Sequence, residues 1–168
     1  MTGPKSPNVI RSSLRLRGDL QIDVRYADGS RPKRTYAIRN TIVYDGLNSP
    51  LYLWTQDTGS PTDWQMTKLV AGTNGIPPTV GDVGLGAPLL APTDQMPLTV
   101  ANRSVVPALG ELVLTAGLSL TQGNVVLPLQ EVGIFMGNGQ LFARQIHPSI
   151  AKNGAITVTY TWRIAVTS

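Results

Sequence analysis

The sequence predicts an all-β fold: an antiparallel β-sandwich or open barrel with long Gly/Pro-rich loops and an extended N-terminal arm. Three observations carry this. The 168 residues include 17 Gly and 13 Pro, and both residue types break helices. Charged residues make up 14% of the chain, where about 25% is usual, too few for a coiled coil. Apolar and polar residues alternate with period two in several segments, the mark of a strand with one wet face. An apolar content of 42% excludes disorder, and the length suits one domain with a real core. The expected division is an arm over residues 1–13 and a single β domain over 14–168.

Taken in order, residues 1–9 hold two prolines and a glycine and read as an extended segment. From Leu14 the even positions Leu16, Leu20, Ile22, Val24 and Tyr26 are apolar, while Arg15, Arg17, Asp19, Gln21, Asp23 and Arg25 fill the odd ones. This is a half-buried strand, and Gly18 on its inward set marks an expected bulge or bend. Ala27-Asp28-Gly29-Ser30 is a hairpin turn, and 35–39 begins the partner strand. Residues 47–54 read as a short helix capped near Pro50, 55–65 as a loop, and 66–71 as a short strand. Ten Gly and Pro residues punctuate 72–97. An irregular stretch of that length in a small domain is either a binding loop or a segment ordered by a neighbouring subunit.

The second half is more regular. Residues 98–106 form a candidate strand. Leu112, Leu114, Ala116, Leu118 and Leu120 alternate as another, and 122–124 turns. Residues 125–129 return, with Pro128 confining them to an edge. The strand 131–136 meets 141–146 through Gly137-Asn138-Gly139, where Asn-Gly predicts a type I′ turn. Residues 147–154 read as a loop. Last, Ile156, Val158, Tyr160, Trp162, Ile164 and Val166 alternate with Thr157, Thr159, Thr161, Arg163 and Ala165. This strand is expected at the centre of a sheet or paired between subunits. The total is eight or nine strands.

The chemistry available is narrow. There is no Cys and one His, so disulfides, thiolate nucleophiles, zinc ribbons and His-rich metal sites are all excluded. His147 precedes Pro148 in an apolar stretch and reads as a structural histidine. Gly81-Asp82-Val83-Gly84-Leu85-Gly86 has dinucleotide-like glycine density in the wrong order, G-x-x-G-x-G, and reads as a turn. Asp57 and Asp63 are too few acids for a calcium loop. Glu111 and Glu131 lack the aromatic cleft of a glycosidase pair. Trp54, Trp64 and Trp162 are assigned to packing. No catalytic residue, metal or cofactor is expected. Met1–Arg11 has no apolar core of a signal peptide, so no export by that route is expected, and no run is long enough to span a membrane.

Charge is unevenly placed. The first 39 residues hold nine Lys/Arg and three Asp, a net +6, and the rest of the chain is −2. Three uses are open: phosphate binding, a solvated strand face with a basic loop, or docking on an acidic protein surface. Nucleic acid is the least expected partner, because the segment lacks interleaved aromatics and any helix-turn-helix or finger pattern. Arg15, Arg17, Arg25, Arg31, Lys33 and Arg34 are the candidate protein contacts.

One stretch carries a resemblance. Glu131-Val-Gly-Ile-Phe135, Asn138-Gly-Gln-Leu-Phe-Ala-Arg144, His147-Pro148, Lys152 and the closing Thr-Val-Thr-Tyr-Thr-Trp strand form one connected pattern. It resembles a module of tailed-bacteriophage structural proteins, especially tail-collar and tail-fibre-like proteins. The good match spans about 40 residues. The resemblance implies a non-enzymatic virion subunit of the tail, collar or baseplate, assembled in the host cytoplasm. It would contact other virion proteins and form a homo-oligomer, a trimer or a ring. A capsid decoration protein is the alternative, and a carbohydrate-binding module using Tyr52, Trp54 and Trp64 the third. Unlike fibre proteins, the sequence shows no repetitive stem or receptor-binding tip, so host-receptor binding is not expected.

Overall fold

The computed structural model describes residues 15–28, 34–43, 46–47 and 60–167. The arm over 1–13, the loop residues 31–33, most of the candidate helix at 47–54, and Tyr52, Trp54 and Asp57 lie outside the described residues. Leu47 is helical, its N–H donating to the Val43 carbonyl at 3.0 Å.

Among the described residues nine strands form the fold: β1 Arg15–Tyr26, β2 Arg34–Ile42, β3 Met66–Gly72, β4 Met96–Pro97, β5 Arg103–Val106, β6 Glu111–Leu118, β7 Leu129–Met136, β8 Leu141–Ile150 and β9 Ile156–Thr167. All pairings are antiparallel, in the order β4-β3-β7-β8-β2-β1-β9-β6-β5. β2 is shared. Most of it pairs with β1, but Thr41 and Ile42 pair with β8. The ladder therefore turns at β2 into two five-stranded sheets that do not close into a barrel. We call β2-β1-β9-β6-β5 the first sheet and β4-β3-β7-β8-β2 the second.

The core lies between them. Leu20, Ile22, Leu114, Leu118, Val158, Tyr160 and Trp162 of the first sheet join Leu69, Ala71, Val132, Ile134, Met136 and Ala143 of the second. The even-numbered alternation of β1 and β9 puts those side chains inward, and β9 sits centrally between β1 and β6. Burying a large apolar side chain contributes roughly 1.5–3 kcal/mol. The Trp162 indole N–H finds no acceptor among the described residues.

Five expectations are corrected. Gly18 lies in unbroken register opposite both Asn40 and Ile164, with no bulge. Residues 98–102 are not strand. Asn102 accepts the Thr99 N–H at 2.6 Å and donates to the Pro97 carbonyl at 3.0 Å, closing a tight turn over Val100–Asn102 that carries the chain from β4 to β5. Residues 125–128 make no ladder pairing, and β7 starts after Pro128. The 137–139 turn is a three-residue loop. Met136 N–H donates to Gln140 and Gly139 N–H donates back to Met136, with Gly139 alone at φ 84°. A Cβ on Gly137 would overlap the Thr62 carbonyl, so the turn is packed backbone against backbone on Pro61–Trp64. Finally, β8 runs through His147-Pro148 to Ile150. Beyond Arg144 it pairs on one side only, and that ladder is irregular between Leu129 and Glu131, a setting that tolerates proline.

Candidate functional site

The polar and charged residues buried among the described ones are Glu131, Arg144, Gln145, His147 and Lys152. All fall within 131–152, on β7, β8 and the connection to β9. Their centre is an ion cluster on the outer face of the second sheet. Arg144 pairs with Gly133 across β7–β8, and Glu131 stands two residues along β7, so both project from one face. Arg144 Nε donates to Glu131 Oε2 at 2.8 Å, Nη1 to Asp82 Oδ2 at 2.7 Å, and Nη2 to the Ile76 carbonyl at 3.0 Å. Glu131, fully buried, also accepts the N–H groups of Gly86 (3.2 Å) and Ala87 (2.8 Å).

These bonds hold the 73–95 segment over the sheet. Its ends are clipped in place by Thr73 N–H to Ala87 and Leu89 N–H to Ala71, at 2.9 and 2.8 Å. Two glycines make the approach possible. A Cβ on Gly72 would come within 2.5 Å of Glu131 Oε1 and 2.6 Å of the Ala87 carbonyl, and one on Gly86 would overlap the Asn74 amide. Asp82 is positioned by Thr79, whose N–H and hydroxyl donate to it at 3.1 and 2.7 Å. Burial works against the Asp82 charge, but the bonds from Arg144 and Thr79 outweigh it and lower its pKa. Burial likewise opposes the Arg144 charge, and Asp82 and Glu131 more than offset it. The sequence offered a binding loop or a segment ordered by a neighbouring subunit for 72–97; in the structure the chain's own buried arginine and glutamate fasten it.

Two further buried groups flank the cluster. His147 Nδ1 lies 2.9 Å from the Pro148 carbonyl, and Nε2 lies 3.5 Å from the Tyr160 hydroxyl. Burial lowers the imidazole pKa and raises that of the Tyr160 phenol. Lys152, 2% exposed, donates to Asn124 Oδ1 at 2.9 Å and to the Asn153 carbonyl at 3.0 Å.

The sequence-predicted contact residues lie elsewhere. Arg17 and Arg25 are exposed on the outer face of the first sheet. Arg17 pairs with Asp19 at 3.0 Å, and Asp19 stands opposite both Arg39 and Arg163. Arg15 belongs to the same β1 alternation and Arg34 begins β2, but their side chains, with Arg31 and Lys33, lie outside the description. The rejected pairings stay apart. Glu111 is on the first sheet, 3.7 Å from Arg163, while Glu131 is on the second. Asp63 caps its own turn through the Ser60 N–H at 2.7 Å. Trp64 is half-buried on the wall of an apolar cavity of about 540 Å³ at the open end of the sheets, with Leu16, Met66, Val105, Phe142 and Ile164. Among the described residues, no three acidic or His side chains cluster to share a metal ion, and no helix is long and apolar enough to cross a membrane.

No family model, curated protein or solved structure matches the chain. The chemistry of the site is thus the guide to its use. An arginine with all three of its nitrogens engaged and a carboxylate with three bonds are built to fasten, since neither keeps a free face toward a cleft. Sequence reading missed Asp82, Arg144 and Lys152 as a working set. The available signal was the rarity of charge: four ionisable groups, Glu131, Arg144, His147 and Lys152, in the apolar 131–152 run, each needing a partner if buried.

Proposed function

We propose that the chain is a non-enzymatic structural subunit working through protein–protein contacts, and that it serves in a tailed-phage virion at the tail, collar or baseplate. The observation that carries the non-enzymatic reading is that Glu131, Arg144, His147 and Lys152 are all bonded to the chain's own strands and loops. The contact reading is supported by the outer face of the first sheet. There Arg17, Asp19, Arg25, Arg39 and Arg163 present mixed charge, a poor track for a phosphate backbone and a good one for paired charges across a subunit boundary. Exposed Val83, Leu90, Val100 and Val126 on the loops suit coverage by a neighbour. The virion assignment rests on the resemblance of the 131–162 stretch.

The test is location. Antibody labelling and quantitative mass spectrometry of purified particles should find the chain at the tail in tens of copies. Hundreds of copies on the head would make it a decoration protein instead, and absence from particles would overturn the virion reading. Reversing Arg17 and Arg25 to Glu should reduce incorporation in a salt-sensitive way while the isolated domain stays folded. Filter binding to DNA should be weak at physiological salt.

A further inference from the structure

We propose that Lys152 and Asn124 are the partners of an intramolecular isopeptide cross-link, formed by the folded chain without added cofactor. The inference is independent of the virion reading. Lys152 is 2% exposed, yet among the described residues it forms no ion pair within 4.0 Å. Buried ammonium groups are ordinarily paired. Its partners are instead neutral carbonyl oxygens, those of the Asn124 side chain at 2.9 Å and the Asn153 backbone at 3.0 Å. The Asn124 carbonyl carbon lies one C=O bond, about 1.2 Å, beyond the first of these.

The amide is held from both sides. Asn124 Nδ2 donates to the Leu120 carbonyl at 2.8 Å while its oxygen accepts from Lys152. The preceding residue, Gly123, sits at φ 64° and donates its N–H to Asp94 Oδ1 at 2.8 Å. Gln122 Nε2 donates to the Thr93 carbonyl. Three chain segments, 92–94, 119–124 and 152–153, are thereby locked together, so amine and amide are kept at reacting distance with little left to order. Burial lowers the Lys152 pKa, which favours the neutral, nucleophilic amine, and the charge of Asp94 acts against this. Asp94 acts by position: its Oδ1 accepts the Gly123 N–H and so fixes the residue next to Asn124.

The step balances without an external reagent. Lys152 gives up a proton to solvent water, and its Nζ lone pair attacks the Asn124 carbonyl carbon. A C–N bond forms to Nζ, the C–N bond to Nδ2 breaks, and one proton passes from Nζ to Nδ2, which leaves as ammonia. The product is an amide joining the two side chains, lighter by one ammonia, about 17 Da.

Intact-mass measurement of the folded, full-length chain under denaturing conditions tests this. The wild type should be about one ammonia light, and proteolysis should release a branched peptide joining the Lys152 and Asn124 segments. Asn124 is exposed, so Asn124→Ala should remain folded by circular dichroism, have the full sequence mass and migrate more slowly on a denaturing gel. Asp94→Ala should slow conversion. A wild type at full sequence mass after prolonged incubation in the folded state overturns the proposal. So does an ammonia loss that maps to a linear peptide at Asn138-Gly139 or Asn153-Gly154, which would be a succinimide.

Discussion

The two sheets use their outer faces in opposite ways. The first sheet shows solvent an open face of Arg, Asp, Gln and Thr side chains from β1 and β9. The second is covered, because the 73–95 segment lies over β7 and β8 and is fastened by Arg144 and Glu131. The charges on the first face lie in water and pair loosely, as Arg17 and Asp19 do with about half of each side chain exposed. Those on the second are withdrawn from water and bonded at nearly every position. The same residue types thus have different energetic weight. An exposed pair contributes about 0–1 kcal/mol, whereas removing one partner of a buried pair costs about 3–5 kcal/mol.

Substitutions can break or sharpen that contrast. The largest effect is expected from Glu131→Ala, which leaves Arg144 buried with one of its three partners gone and frees two loop N–H groups. Chemical denaturation should show a loss of about 3–5 kcal/mol, and a loss below about 1 kcal/mol would place the cluster with surface pairs. Asp82→Asn comes next, since Asp82 keeps 19% side-chain exposure and holds one Arg144 nitrogen. We expect a loss of about 1–3 kcal/mol with the core intact by near-ultraviolet circular dichroism. The folded-state pKa of Asp82 is lowered. Its contribution is therefore present above the ordinary carboxylate pKa and is lost as pH falls through the folded value. Asp82→Asn should remove that part of the acid-side slope.

His147 gives a smaller, pH-dependent effect. Its folded pKa is also lowered, but by burial of a base. The unfolded chain then takes up the proton first, so stability is full above the ordinary imidazole pKa and falls as pH drops from that value toward the lower folded one. His147→Gln should flatten denaturation midpoints over that window and leave assembly intact. The smallest effect is expected from Arg17→Ala, within about 0.5 kcal/mol of wild type and vanishing at high salt.

The contrast also explains what could be read from the sequence. β1 and β9 were legible almost residue by residue because one face of each meets water, and period two follows. β7 and β8 are buried on both faces, so their pattern is nearly continuous and their ends blur. The extension of β8 through Pro148 was missed because the freedom of that edge depends on β2 ending its pairing at Ala143 and Arg144. Asp82 could be seen as a loop acid and Arg144 as a strand base. They stand 62 residues apart in the chain, and no local spacing joins them. The three-residue turn at 137–139 differed from the Asn-Gly expectation because it packs on Pro61–Trp64, a tertiary contact.

The central claim is that the chain itself orders the 73–95 segment through Glu131 and Arg144. Native-state hydrogen exchange on the isolated protein, below any concentration at which it associates, tests this most directly. The amides of Thr73, Gly86, Ala87 and Leu89 should be strongly protected in the wild type. In Glu131→Ala, protection should collapse at Gly86 and Ala87 while the β1–β9 amides stay slow. Exchange of those four amides at unprotected rates in the isolated wild type would contradict the account and leave the segment to be ordered by a neighbouring molecule.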